Sequence, residues 1–196
     1  MDKSFIVSVV QKSIEVKQKI LADNDLLSAI QYQGEKMVEC LQNGGTIWFC
    51  GNGGSAADAQ HLAAELSGRF YLNRKAYAAE ALHVNTSFMT AVANDFGYDY
   101  VYARAIEALG SVGDLLIAIS TSGNSKNIVL AVEKAKEMGI SVFLWSGQTG
   151  GKLATVADSA ILVPSGDTPR IQEAHITLGH ILCEWIEKEM VSRKEV

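Results

Sequence analysis

Residues 113–139 read GDLLIAISTSGNSKNIVLAVEKAKEMG, and this stretch decides the fold class. Leu115–Ile119 is a continuous apolar run, the pattern of a parallel strand buried on both faces. Ser120-Thr121-Ser122-Gly123-Asn124-Ser125 then turns the chain, and a helix follows to about Met138. A strand, a polar turn and a helix in that order are part of a βαβ unit.

The same pattern extends in both directions. Upstream, Thr46-Ile47-Trp48-Phe49-Cys50 is a second buried strand, followed by the glycine turn Gly51-Asn52-Gly53-Gly54-Ser55 and a helix to about Phe70. A strand over 78–83 and a helix over 86–94 come next. Downstream, strands are expected over 141–145 and 159–163, with a short helix over 150–157 between them. A closing helix spans 168–190, with Pro169 in its first turn. The first 43 residues form two helices, with Ile6, Val10, Ile14 and Leu21 repeating on the first and Leu27, Ile30, Met37 and Leu41 on the second. Asp23-Asn24-Asp25 breaks the pair and Asn43-Gly44-Gly45 ends it. The expected architecture is α/β: a single doubly wound parallel sheet over 44–196, flanked by helices, with the N-terminal helical pair 1–43 as part of the same unit.

The composition suits this. Of 196 residues, 48% are hydrophobic, 20% are charged and only 2 are Pro, so the chain can bury a core. Its formal net charge of −5 argues against a general nucleic-acid binder. No apolar stretch approaches a membrane span, and MDKSFIVSVVQKS carries no signal-peptide cleavage pattern, so a soluble cytoplasmic protein is expected. Cys40, Cys50 and Cys183 lack metal spacing and read as reduced, buried thiols. A chain this short has little room for a second domain to close an active site.

Ligands in open parallel sheets sit beyond the carboxyl ends of the strands, where both polar turns fall. In the first, glycines allow close backbone approach to a ligand, and Ser55 offers a cap or a hydroxyl. Gly51, Gly53 and Ala56 also match the dinucleotide fingerprint G-x-G-x-x-[GA], but the acidic residue that should end the second strand is missing. The second turn carries Ser120, Thr121, Ser122 and Ser125 just before a helix N-terminus. One cap would use one serine; four hydroxyls with free amides suit a phosphate.

His61 and Glu65 stand i,i+4 on the helix leaving the glycine turn, a spacing for a shared metal, an oriented acid–base pair or a plain surface pair. Asn94-Asp95 adds a polar turn. On the last helix His175 keeps register with Ile171, Leu178, Leu182 and Trp185, so it belongs to the packed face, while His180 is offset and free for a site. Gln172 and His180 lie about 12 Å apart at 1.5 Å per residue. They can meet one ion only if both side chains reach inward or if different subunits supply them.

Together, CGNGGSAADAQHLAAELSGRF (50–70), AVANDFGYDYVYAR (91–104), GDLLIAISTSGNSKNI (113–128) and PRIQEAHITLGHILCEWIEKEM (169–190) resemble the sugar isomerase (SIS) family of phosphosugar-binding domains, and within it the phosphoheptose isomerases. The resemblance implies conversion of sedoheptulose 7-phosphate to D-glycero-D-manno-heptose 7-phosphate, for bacterial lipopolysaccharide or capsule. It implies substrate binding by Asn52, Gly53, Gly54, Ser55, Glu65, Asn94, Asp95, Ser120, Thr121, Ser122, Ser125 and Gln172. It further implies a Zn²⁺ on His61, Glu65, Gln172 and His180, catalysis by Glu65 and His180, and a homotetramer whose subunits meet at the active sites. Ala56-Ala57 and Thr168-Pro169 depart from the family pattern, which has bulkier polar residues at the first pair and Ala-Asp at the second. A non-catalytic SIS relative that binds the bacterial replication initiator is the alternative. It is expected to lack the acid–base residues that Glu65 and His180 supply here.

Overall fold

A computed structural model describes residues 2–192. Its elements are α1 (Lys3–Ala22), α2 (Asn24–Gln42), β1 (Ile47–Gly51), α3 (Gly54–Ser67), β2 (Ala79–Ala81), α4 (Thr86–Phe96), α5 (Val101–Leu109), β3 (Leu115–Ile119), α6 (Lys126–Glu137), β4 (Ser141–Gly147), β5 (Ser159–Val163) and α7 (Thr168–Ser192). Single 3₁₀ turns cover Tyr98–Tyr100 and Gly151–Thr155, the latter where a short helix was expected.

The five strands are all parallel, in the order β2-β1-β3-β4-β5. Period-two alternation sends β3 into two cores: Leu115, Ile117 and Ile119 join one, Leu116 and Ala118 the other. The first core lies under α2, α3 and α7, the second under α5 and α6. This double burial is why the strands are uninterrupted apolar runs. In this strand order the chain reverses its direction of travel across the sheet between β1 and β3, which is where ligands bind in such folds.

Two features go beyond what the sequence pattern announces. Val101, Tyr102, Ala105 and Ile106 bury against α6 one face of α5, a helix for which the sequence carries no clear period. With only nine residues and one turn carrying two tyrosines before it, α5 has too short a run for its period to stand out. On α1, Ile6, Val10, Ile14 and Leu21 are all exposed, and the helix instead packs through Val16 and Ile20. Phe5 and Val7 extend the exposed apolar surface at its amino end. Asp23 does break the pair as expected, its carboxylate accepting the Leu26 amide at the start of α2. Among the described residues no helix is long and apolar enough to cross a membrane.

Candidate active site

The glycine turn after β1 and the hydroxyl turn after β3 lie side by side because their strands pair in register, Gly51 opposite Ile119. A reciprocal amide pair fastens them. Asn52 Nδ2 donates to Asn127 Oδ1 at 2.8 Å, and Asn127 Nδ2 returns a bond to Asn52 Oδ1 at 2.9 Å. Tyr98 Oη donates to the same Asn52 oxygen at 3.1 Å, and Tyr102 Oη donates to the Gly51 carbonyl. Asn52 is therefore held by two other segments of the chain.

In the second turn the carbonyls are tied back into the fold. Ser146 Oγ donates to Ser120 O at 2.7 Å, Gly147 N to Thr121 O at 3.1 Å and Leu153 N to Gly123 O at 3.1 Å. Ser125 occupies the N-cap of α6 but makes no side-chain cap bond; its hydroxyl instead receives Ser120 Oγ at 3.3 Å. A different side chain serves the helix start: Asn127 Oδ1 accepts the Ile128 amide at 3.0 Å, so Ser125 leaves its hydroxyl free of the capping role. Beside the turn opens a cleft of about 270 Å³, lined by Thr121, Ser122, Gln148, Thr149, Ser165 and Thr168 among others. A larger cleft of about 410 Å³ lies at the amino ends of β3 and β4 and holds none of the candidate groups, so chemistry rather than volume selects the site.

The acid–base candidates sit where α3 and α7 run side by side. Gly179 permits the approach, since a Cβ there would lie 2.6 Å from Leu62. One residue on, His180 Nε2 meets His61 Nε2 at 2.9 Å, and His61 Nε2 stands 3.3 Å from Glu65 Oε1. His61, Glu65 and His180 can each present a ligand atom within 4.8 Å of the others. Two imidazoles facing nitrogen to nitrogen need one proton between them when nothing else is bound. Alternatively, both lone pairs can point at one cation. Two nitrogens and a carboxylate oxygen are a donor set that Zn²⁺ accepts, and three protein ligands leave a position for substrate. The residues fit such an ion.

Gln172 is placed elsewhere on the same seam. Its amide packs where a Cβ on Gly54 would be, 2.5 Å from Nε2, against the glycine turn. Gln172 therefore joins the candidate substrate residues Asn52, Gly53, Gly54 and Ser55 more directly than it joins the two histidines. Ser55 is buried inside the first turn of α3, whose N-cap is Gly53, so it does not cap the helix. Asn94 and Asp95 are exposed, with Asn94 Nδ2 donating to Asp95 Oδ1 at 2.8 Å; Tyr98, just beyond them, touches the glycine turn. His175 is fully buried, as its register predicts, and its Nε2 lies 3.3 Å from the Ser146 carbonyl. All three cysteines are free and buried, and burial pushes each thiol up to about 12.

Residues 11–144 match the SIS domain family. A phosphoheptose isomerase of Clostridium acetobutylicum is 49% identical over 192 residues, covering 98% of each chain. The chain belongs to the SIS-domain phosphoheptose isomerases. Solved structures of other members agree: that of Neisseria gonorrhoeae aligns with a TM-score of 0.89 at 42% identity, covering 95% of this chain and 98% of the other. The phosphoheptose isomerase of Francisella tularensis aligns at 0.91 and 36% identity, covering 96% and 100%. As a member of the phosphoheptose isomerases, this chain is an aldose–ketose isomerase of a sugar phosphate.

Asn127, Ser146, Tyr98 and the Arg74–Glu187 pair around this site escaped sequence reading. One signal was available: Glu187 follows Cys183 by one turn, which puts a carboxylate on the buried stripe of α7.

Proposed function

We propose that this chain isomerises sedoheptulose 7-phosphate to D-glycero-D-manno-heptose 7-phosphate through a cis-enediol. The observation that carries the reading is a carboxylate and two imidazoles converging on one seam, beside hydroxyl and amide groups built for an anion. Ser120, Thr121, Ser122 and Ser125 with the first amides of α6 bind the terminal phosphate. Asn52, Gly53, Gly54, Ser55, Asn94, Asp95 and Gln172 orient the open-chain sugar. Of Glu65 and His180, one removes the C1 proton, giving the enediol, and the other serves the O2 oxygen. The hydroxyl proton then leaves O1 as a proton returns to C2, so atoms and charge balance. Each positioned acid or base contributes about 10²–10⁴ in rate.

His61, Glu65 and His180 would hold the Zn²⁺, with Gln172 as a fourth ligand through side-chain reach or from a neighbouring subunit. Bound there, the ion supplies a Lewis acid that polarises the sugar carbonyl. Assembly into a homotetramer is part of the proposal. The His61 side chain is 48% exposed and that of Glu65 24%, where exclusion of water protects an enediol, and α1 exposes Phe5, Ile6, Val7, Val10 and Ile14. We place the enzyme in the cytoplasm, supplying heptose for a bacterial surface polysaccharide. The test is turnover of sedoheptulose 7-phosphate at defined zinc content, followed by NMR. Product at a rate dependent on Glu65 supports the reading, and no product with zinc-loaded protein rejects it.

A further inference from the structure

We propose that Arg74 and Glu187 are positioning residues for the acid–base pair, their buried ion pair fixing the end of α3 against α7 so that Glu65 faces His180. The inference rests on the isomerase reading above. Arg74 lies in the coil after α3, and Glu187 lies on α7, two turns beyond His180. Their side chains are 5% and 2% exposed, with Arg74 Nε donating to Glu187 Oε1 at 2.9 Å.

What distinguishes this pair from an ordinary buried ion pair is what else each partner holds. The last carbonyls of a helix have no partners within it and favour a cation. Arg74 supplies both needs. Nη2 donates to the backbone carbonyl of Glu65 at 3.0 Å, and Nη1 donates to that of Leu66 at 2.8 Å. Its guanidinium also lies over the Tyr77 ring, 3.9 Å from the centroid. Glu187 accepts the amides of Phe70, Tyr71 and Leu72 at 3.1, 2.7 and 2.9 Å. Phe70, so held, sets its ring 5.8 Å from that of His180. One ion pair thus grips the backbone of Glu65 on one side and, through Phe70, backs His180 on the other. Burial alone would push the Glu187 carboxyl up, but the three amides and Arg74 outweigh it and hold it below its ordinary value.

A lysine is a single point charge and cannot span a carboxylate and two carbonyls as a planar guanidinium does. Arg74→Lys therefore keeps the charge opposite Glu187, guarding against a variant that fails to fold, while loosening the grip on Glu65. Glu187→Gln keeps an acceptor for the amides and removes the charge. Misplacing a reacting group by about 1 Å costs on the order of 10²-fold. The experiment measures kcat, KM and the pH profile of kcat for sedoheptulose 7-phosphate with the zinc-loaded full chain, normalised to folded protein. The expected result for Arg74→Lys is kcat lower by about 10- to 100-fold with KM within roughly threefold, because the phosphate turn on β3 and α6 is untouched. The limbs of its pH profile should also move. An unchanged kcat with only a lower Tm, or a change confined to KM, overturns the inference. An inactive wild type would reject the isomerase reading itself, whereas an active wild type with an equally active Arg74→Lys rejects only the positioning role.

Discussion

The Nε2 atoms of His61 and His180 face each other at 2.9 Å across the seam of α3 and α7, although 119 residues separate them in sequence. The two helices run in the same direction along this seam: Gln172 meets Gly54, Gly179 meets Leu62, His180 meets His61 and Glu187 meets the chain just past α3. The seam therefore reads as a ladder, with Gln172 against the glycine turn at one end, the candidate acid–base groups in the middle and the Arg74–Glu187 ion pair at the other.

Removing either reacting group should stop chemistry without unfolding the protein. Glu65→Gln and His180→Gln are each expected to lower kcat by about 10²–10⁴. Circular dichroism should remain that of the wild type. Full turnover in either variant would remove that residue from the mechanism.

Metal binding can be tested apart from turnover. Calorimetric titration of chelator-treated protein with Zn²⁺ should give one site per chain, lost in His61→Ala and in His180→Ala. A wild type that binds no zinc would leave the two imidazoles to share a proton instead.

Gly123 should tolerate no side chain. It has φ +63°, and a Cβ would come within 1.8 Å of the Gly150 carbonyl, which is backbone and cannot swing aside. Gly123→Ala should cost about 1–3 kcal/mol or more in strain, read as a lower Tm. The displaced hydroxyl turn should also raise KM for the sugar phosphate.

Stability should fall in mild acid, and His175 should be a cause. Burial lowers its folded value to about 4, against about 6.5 in the unfolded chain. Between these values the unfolded state binds more protons, so stability is lost as pH falls from about 6.5 to 4, by up to about 1.4 kcal/mol per pH unit. Asp58, pushed up to about 6 chiefly by burial, acts in the opposite sense across part of that window. Comparing Tm against pH for wild type and His175→Gln cancels the Asp58 contribution. A slope identical in both would exclude His175.

The apolar surface of α1 should report on assembly. A charge in its middle, Val10→Glu, is expected to shift light-scattering mass from a tetramer towards smaller species and to reduce turnover. A monomeric wild type with full activity would refute the tetramer.

The parallel sheet and the two polar turns at its carboxyl edge are legible in the order of residues alone, as are the residue types from which a candidate site can be drawn. Those are local properties: a run such as Leu115–Ile119 can only be buried on both sides, and hydroxyls clustered before a helix start can only gather there. Even the offset of His180 from the buried register of His175 was visible as helical phase. The tertiary structure alone decided which separated groups meet. No local pattern says that Asn127 pairs with Asn52, that Arg74 closes the end of α3, or that Gln172 rests on Gly54 while His180 reaches His61. Those contacts depend on how closely two helices approach and in what register, and a packed interior fixes both by shape. The same reason applies to the exposed apolar residues of α1. Periodicity reports that a face is apolar, but only packing shows whether the surface covering it lies within this chain.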